Sequence, residues 1–172
     1  MEAPWACAVD IAGFLNGKLR EYDEKEYDKN GAGKEYTAYA GFLPVRQRAA
    51  DMKENCPFIA VRPVQVVDGE KESLAGMAIF VTTYDEDPML GCESLYHILE
   101  FLRFHLLEGN PILEKYQVQL EGDGIMETYI PDEQPYPLWQ GRMDFAVYLE
   151  QPSNGKYVAG MNRWRRIGNG RD

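Results

Sequence analysis

The chain has 172 residues, the length of one ordinary domain, and a chain of this size buries roughly two-thirds of its unfolded surface without a metal or disulfide staple. Its composition, 45% apolar and 12% aromatic, excludes a disordered polymer. Acidic residues number 28 against 18 basic, a net charge of −10, which argues against generic attraction of the body to DNA or to an anionic membrane.

Residues 4–23 place Trp5, Ala8, Ala12, Leu15, Leu19 and Tyr22 at helical spacing behind Pro4, a residue suited to the first turn of a helix. From 22 to 35 the pattern gives way to charge and glycine, which predicts a solvated loop. Its Gly31-Ala32-Gly33-Lys34 faintly resembles a phosphate cradle, but a P-loop requires glycine where Asp28 stands and Ser or Thr where Glu35 stands. An aspartate there repels phosphate, and a nucleotide site is rejected.

Residues 36–43 predict a weak strand and residues 45–54 a short helix ahead of Cys56-Pro57. The segment 58–67 (FIAVRPVQVV) is β-branched and extended, with Pro63 marking an edge or a bulge. Asp68-Gly69 begins a charged turn, and 74–84 (LAGMAIFVTTY) predicts a buried strand pairing antiparallel with its predecessor. Asp87-Pro88 then supplies a helix N-cap followed by proline at the first helical position. Leu95, Ile98, Leu99, Leu102 and Leu106 form one stripe, and Gly109-Asn110-Pro111 stops the helix. Phe101 and Phe104 lie outside the stripe, so the helix is apolar over more than half its circumference and calls for cover, from a second layer or from another subunit.

Residues 113–120 and 125–130 predict two further strands about the Gly122-Asp123-Gly124 turn. A Pro-rich loop at 131–137 leads to 138–149, where Phe145, Val147 and Leu149 alternate as in a half-buried strand. The order helix, strands, helix, strands predicts an α+β fold: a mainly antiparallel or mixed sheet of about four to five strands with helices on one face. Residues 1–152 are read as one domain. Residues 153–172 differ, with five basic residues against Asp172, a balance of +4 that leaves −14 on the body. They predict a flexible arm, for which contact with nucleic acid, docking onto an acidic neighbour and plain solvation all stay open.

Motifs for chemistry are sparse. Cys7, Cys56 and Cys92 are odd in number and form no CxxC, as reduced thiols of a cytosolic protein would. No apolar run approaches the ~18–20 residues of a membrane span, and the start of the chain lacks the positive region of a secretory signal. His97 and His105 share a helix but stand about 12 Å apart along its axis, too far for one metal ion. Asp85, Glu86 and Asp87 cluster at the start of that helix, where carboxylates complement the dipole; an EF-hand reading fails because Leu90 stands at the glycine position. No GxSxG, HExxH or GxGxxG is present. The expectation is a non-enzyme without cofactor or metal.

Several segments together carry a resemblance. They are Cys56-Pro57-Phe58-Ile59-Ala60-Val61-Arg62-Pro63, then an acidic Asp-Gly turn, a strand ending Thr82-Thr83-Tyr84-Asp85-Glu86-Asp87-Pro88 before an amphipathic helix, and Glu133-Gln134-Pro135-Tyr136-Pro137-Leu138-Trp139-Gln140-Gly141-Arg142-Met143 entering the last strand. In this order they resemble the tail terminator, or tail-completion, proteins of long-tailed bacteriophages and prophages, over residues 56–152. The resemblance implies a twisted sheet with helices packed on it, and a ring of usually six copies that caps the tail tube and meets the head–tail connector. It implies no cofactor and no catalysis. The partners would be further copies, the tail tube protein and the connector protein, with DNA passing through unbound, in the host bacterial cytoplasm during assembly and then in the virion tail. Six copies at −10 each total about −60, compatible with a pore wall that does not hold DNA.

On this reading Phe101 and Phe104 are candidates for the subunit interface, with cover by the first helix as the alternative. Asp68, Glu70 and Glu72 form a candidate tube-docking or lumen loop, since exposed edges and loops invite pairing. Tyr136 and Trp139 carry no known chemical role, and packing of the Pro-rich turn is preferred over partner contact. Gly141 permits a bend or a close approach at the strand start. A tail tube subunit, a head–tail connector protein and, further off, an enzyme or small-ligand-binding domain are the competing readings.

Overall fold

A computed structural model describes residues 4–30, 35–42, 53 and 55–151. The elements are α1 (Pro4–Asn30), β1 (Thr37–Ala40), β2 (Phe58–Asp68), β3 (Ser73–Tyr84), α2 (Pro88–Glu108), β4 (Glu127–Tyr129) and β5 (Leu138–Leu149). The five strands form one mixed sheet in the order β1-β2-β3-β5-β4. β1 runs parallel to β2 and every other pairing is antiparallel. The fold is α+β, with two helices packed on the sheet.

Alternation along the strands sorts the side chains into two faces. Val61, Ile79 and Met143 are aligned across the three central strands and are completely buried beneath the helices. α1 contributes Cys7, Ile11, Leu15 and Leu19, and α2 contributes Leu95, Ile98, Leu99, Leu102 and Leu106. α1 lies over β1 and β2, and α2 over β3 and β5. Asn16 of α1 fixes the short parallel strand: its Nδ2 donates to the Ala38 carbonyl at 2.9 Å and its Oδ1 accepts from the Ala38 N–H at 2.7 Å.

Three expectations are corrected. The first helix does not end near 23 but continues to Asn30, because lysine and glutamate are good helix formers even where no apolar stripe remains. Residues 113–120 form no strand. Ile112 and Tyr116 close a tight turn in which Leu113 and Glu114 both take φ 55°, and Val118 makes one isolated bridge to Val147. The Asn110 side chain then accepts the Val118 N–H at 2.9 Å, using a donor that a ladder would need. Residues 125–130 pair only at Glu127–Tyr129. The short helix expected at 45–54 and the arm at 153–172 fall outside the described residues, except that Lys53 is helical.

The bulge expected at Pro63 is present. The register slips between Pro63 and Gln65, leaving Val64 unpaired, and the alternation of β2 is inverted beyond it. Beyond this point the hairpin exposes its β2 arm, where Val64, Val66 and Val67 are each about half exposed (50%, 46% and 49%), while its β3 arm stays paired with β5 as far as Ser73. Asp68 and Ser73 close its tip through a 2.6 Å hydrogen bond from Ser73 Oγ to Asp68 Oδ1. No helix among the described residues is long and apolar enough to cross a membrane.

Candidate functional site

The sheet face opposite the helices carries the chemistry. Phe58, Thr82 and Gln140 are aligned across the strands, then Ala60, Phe80 and Arg142, then Arg62, Ala78 and Asp144. Among the described residues no helix covers this face. A cleft of about 460 Å³ opens on it, walled at its ends by Phe42 and by Tyr129.

Phe80 is the centre. The Arg62 guanidinium lies 3.9 Å from its ring centroid and 4.2 Å from that of Phe42, and Arg142 stands 4.9 Å from the same Phe80 ring. Stacking of this kind favours arginine, whose weakly hydrated plane tolerates an aromatic neighbour. The two guanidinium groups differ in what offsets them. Arg142 Nε donates to both carboxylate oxygens of Asp144 at 2.8 Å, two residues along the same strand and therefore on the same face. Arg62 has no ion-pair partner among the described residues, and its Nε is buried without a hydrogen bond. Burial, reinforced by the charge of Arg142, pulls the Arg62 pKa below its ordinary value, yet an arginine stays protonated at neutral pH. The cleft therefore holds one net positive charge on an aromatic floor.

Beside it the two segments that carry the resemblance meet. Cys56, Phe58 and Leu138 form a small second core with Tyr84 against it. Trp139 Nε1 donates to the Asp85 carbonyl at 3.1 Å, Tyr136 Oη to the Glu86 carbonyl at 3.0 Å, and the Asp85 N–H to the Pro137 carbonyl at 3.1 Å. Gln134 holds the Pro-rich loop, its Oε1 accepting from the Gln140 N–H at 2.6 Å and its Nε2 donating to the Pro131 carbonyl at 2.7 Å. Pro57 lies beside this patch, half-buried, where the chain enters β2. Tyr84 Oη donates to Glu86 at 2.7 Å, and this bond raises the Tyr84 pKa. These contacts are packing and positioning within one chain.

The acidic triplet at the head of α2 is engaged locally. Asp87 Oδ1 caps the helix, accepting from the Met89 and Leu90 N–H groups at 2.9 and 3.2 Å, and Asp85 Oδ1 accepts from the Asp87 N–H at 2.8 Å. Close packing follows at once. A Cβ on Gly91 would stand 2.1 Å from Trp139 Nε1, and one on Gly141 would stand 2.5 Å from Leu99 Cδ1. Phe101 faces inward enough to meet Tyr22 of α1, with ring centroids 4.7 Å apart, whereas Phe104 is 55% exposed and touches His105 edge-on. Among the described residues, no group of three or more His, Cys, Asp or Glu side chains could hold a metal ion.

Asp68, Glu70 and Glu72 sit at the hairpin tip, remote from the cleft. Asp68 is engaged by Ser73, and Glu70 and Glu72 are exposed. Sequence reasoning missed Arg62, Arg142, Phe80 and Asn16. The one available signal was the spacing of Arg142 and Asp144, which alternation puts on a common face of β5. No protein-family model matches this sequence, and no curated protein matches it.

Proposed function

We propose that the protein is a structural assembly component of a phage or prophage tail, of the tail-terminator kind, acting as a ring that caps the tail tube and presents a surface to the head–tail connector. The observation that carries this reading is the sheet face that no described helix covers, with Phe80, Arg62 and Arg142 on it. An aromatic and arginine-rich face is the composition of a protein interface core rather than of an ordinary wet surface. What the cleft offers is stacking and charge. The order of motifs in residues 56–152 supports the same reading. In this role the protein works first in the bacterial cytoplasm and then in the virion tail.

The test is direct. Purified protein is mixed with tail tubes assembled from the tube protein encoded beside it, and tube ends are imaged by electron microscopy. The expected result is a ring-shaped density at one end and arrest of tube growth. Tubes that elongate unchanged with bare ends overturn the proposal.

A further inference from the structure

The cleft is incomplete in charge. Its aromatic floor holds the Arg62 guanidinium with no anion to meet it among the described residues, while the neighbouring Arg142 is already held by Asp144. A desolvated cation beside rings asks for a carboxylate that arrives with apolar surface of its own, since a free, fully hydrated anion loses its shell there without covering the rings. The chain supplies such a group at the far end of β2. Glu70 and Glu72 are exposed at the hairpin tip with no side-chain partner among the described residues, and the β2 arm below them exposes Val64, Val66 and Val67. Several carboxylates of the body are engaged where they stand, Asp10 by Tyr116 and Lys115, Asp87 by its helix, Glu100 by Arg103 and Asp144 by Arg142, and the acidic turn at 70–72 is the one that adjoins the exposed valines.

We propose that the cleft around Arg62 receives the β2–β3 hairpin tip of a second copy of this chain, with Glu70 or Glu72 pairing to the Arg62 guanidinium and the exposed valines covering Phe42 and Phe80. Asp68, where the tip begins, lies six residues or roughly 20 Å along β2 from Arg62. No chain can therefore reach its own cleft. A contact between unlike surfaces repeats from copy to copy and closes into a ring when the rotation allows. The inference rests on the ring reading for the identity of its partner and names the contact that builds the ring. It also assigns the acidic loop to subunit docking rather than to the tube.

The experiment is sedimentation analysis of the full chain over a wide concentration range, with electron microscopy of any oligomer. Arg62→Glu and the double variant Glu70→Lys/Glu72→Lys should each weaken self-association by roughly 30-fold or more, the loss that follows when one partner of a desolvated charge pair is removed. The triple variant carrying all three changes should regain it. The hairpin variant alters only exposed residues, so it stays folded even if the Arg62 change does not, and circular dichroism checks both. Reversal of Glu121 and Asp123 at the other acidic turn should have no effect. The inference is overturned if the wild type stays monomeric throughout, if oligomers persist unchanged in both charge variants, if the Glu121/Asp123 control abolishes assembly instead, or if phenylacetate occupies the cleft without competing with assembly. Rings that persist in the charge variants overturn this contact and keep the ring reading. Two-fold dimers lost in the variants and regained in the triple variant keep the contact and overturn the ring.

Discussion

Gly91 offers the sharpest quantitative test of the packing at the head of α2. In an exposed helix interior, replacing glycine by alanine gains about 1 kcal/mol, because alanine loses less backbone freedom on folding. At Gly91 the added methyl would sit 2.1 Å from Trp139 Nε1 and 2.5 Å from Trp139 Cε2. The indole cannot swing aside freely, since its Nε1 donates to the Asp85 carbonyl at 3.1 Å and its ring packs against the core. Forcing such a shift costs about 1–3 kcal/mol as overpacking, and losing the indole hydrogen bond adds about 0.5–1.5 kcal/mol. Set against the propensity gain, Gly91→Ala should destabilise by about 0.5–3.5 kcal/mol. Gly13 is the internal control: it is exposed on α1 with nothing within 4 Å of a built Cβ, so Gly13→Ala should stabilise by about 0.5–1 kcal/mol. Urea unfolding followed by far-ultraviolet circular dichroism measures both on one scale. A Gly91→Ala protein as stable as wild type, or more so, refutes the account of how Trp139 is seated.

Tyr116 is completely buried and donates to Asp10 at 2.6 Å. That hydrogen bond, chief among its neighbours' effects, holds the Asp10 carboxyl below its ordinary pKa, while burial and the same bond push the Tyr116 phenol up to about 12. The Asp10 contribution is therefore present above about pH 4 and is lost as pH falls through the lowered value; the Tyr116 contribution is present below about pH 10 and is lost as pH rises toward the raised one. Tyr116→Phe should cost about 1–2 kcal/mol near neutrality, allowing for the partial exposure of Asp10, with the gap from wild type narrowing at both extremes in urea titrations; a gap independent of pH contradicts the assignment. Asn16→Ala should cost about 1–3 kcal/mol, because it leaves the Ala38 N–H and carbonyl without a side-chain partner, and hydrogen exchange should show β1 losing protection before the rest of the sheet. Phe104→Ser should change stability by less than about 0.5 kcal/mol, whereas Phe101→Ser, which removes the ring against Tyr22, should lower the thermal midpoint clearly; equal effects would contradict the different exposure of the two rings.

The parts of the fold that could be read from the chain were those fixed by local chemistry. Asp87-Pro88 and Gly109 bound α2 because a cap and a stop act within one turn, and Leu95 to Leu106 face the sheet because helical spacing admits one core face. The β2–β3 pairing followed from two extended runs about a short charged turn, and Pro63 marked the bulge for lack of an N–H. What escaped was set by distant partners. The segment 113–120 has the composition of a strand, but Tyr116 is drawn to Asp10, more than a hundred residues earlier, and Asn110 takes the Val118 N–H. The cleft was invisible for the same reason. Arg62, Phe80 and Arg142 belong to three strands, and only the register brings them together.

The single unpaired residue at Val64 has a wider consequence. Because the side-to-side order of β2 restarts there, the outer arm of β2 turns its side chains to solvent, while β3 beside it stays locked to β5 as far as Ser73. The exposed side chains at 70–72 can be recharged while the interior keeps its register, so the surface chemistry of the turn and the folding of the sheet are set by separate residues.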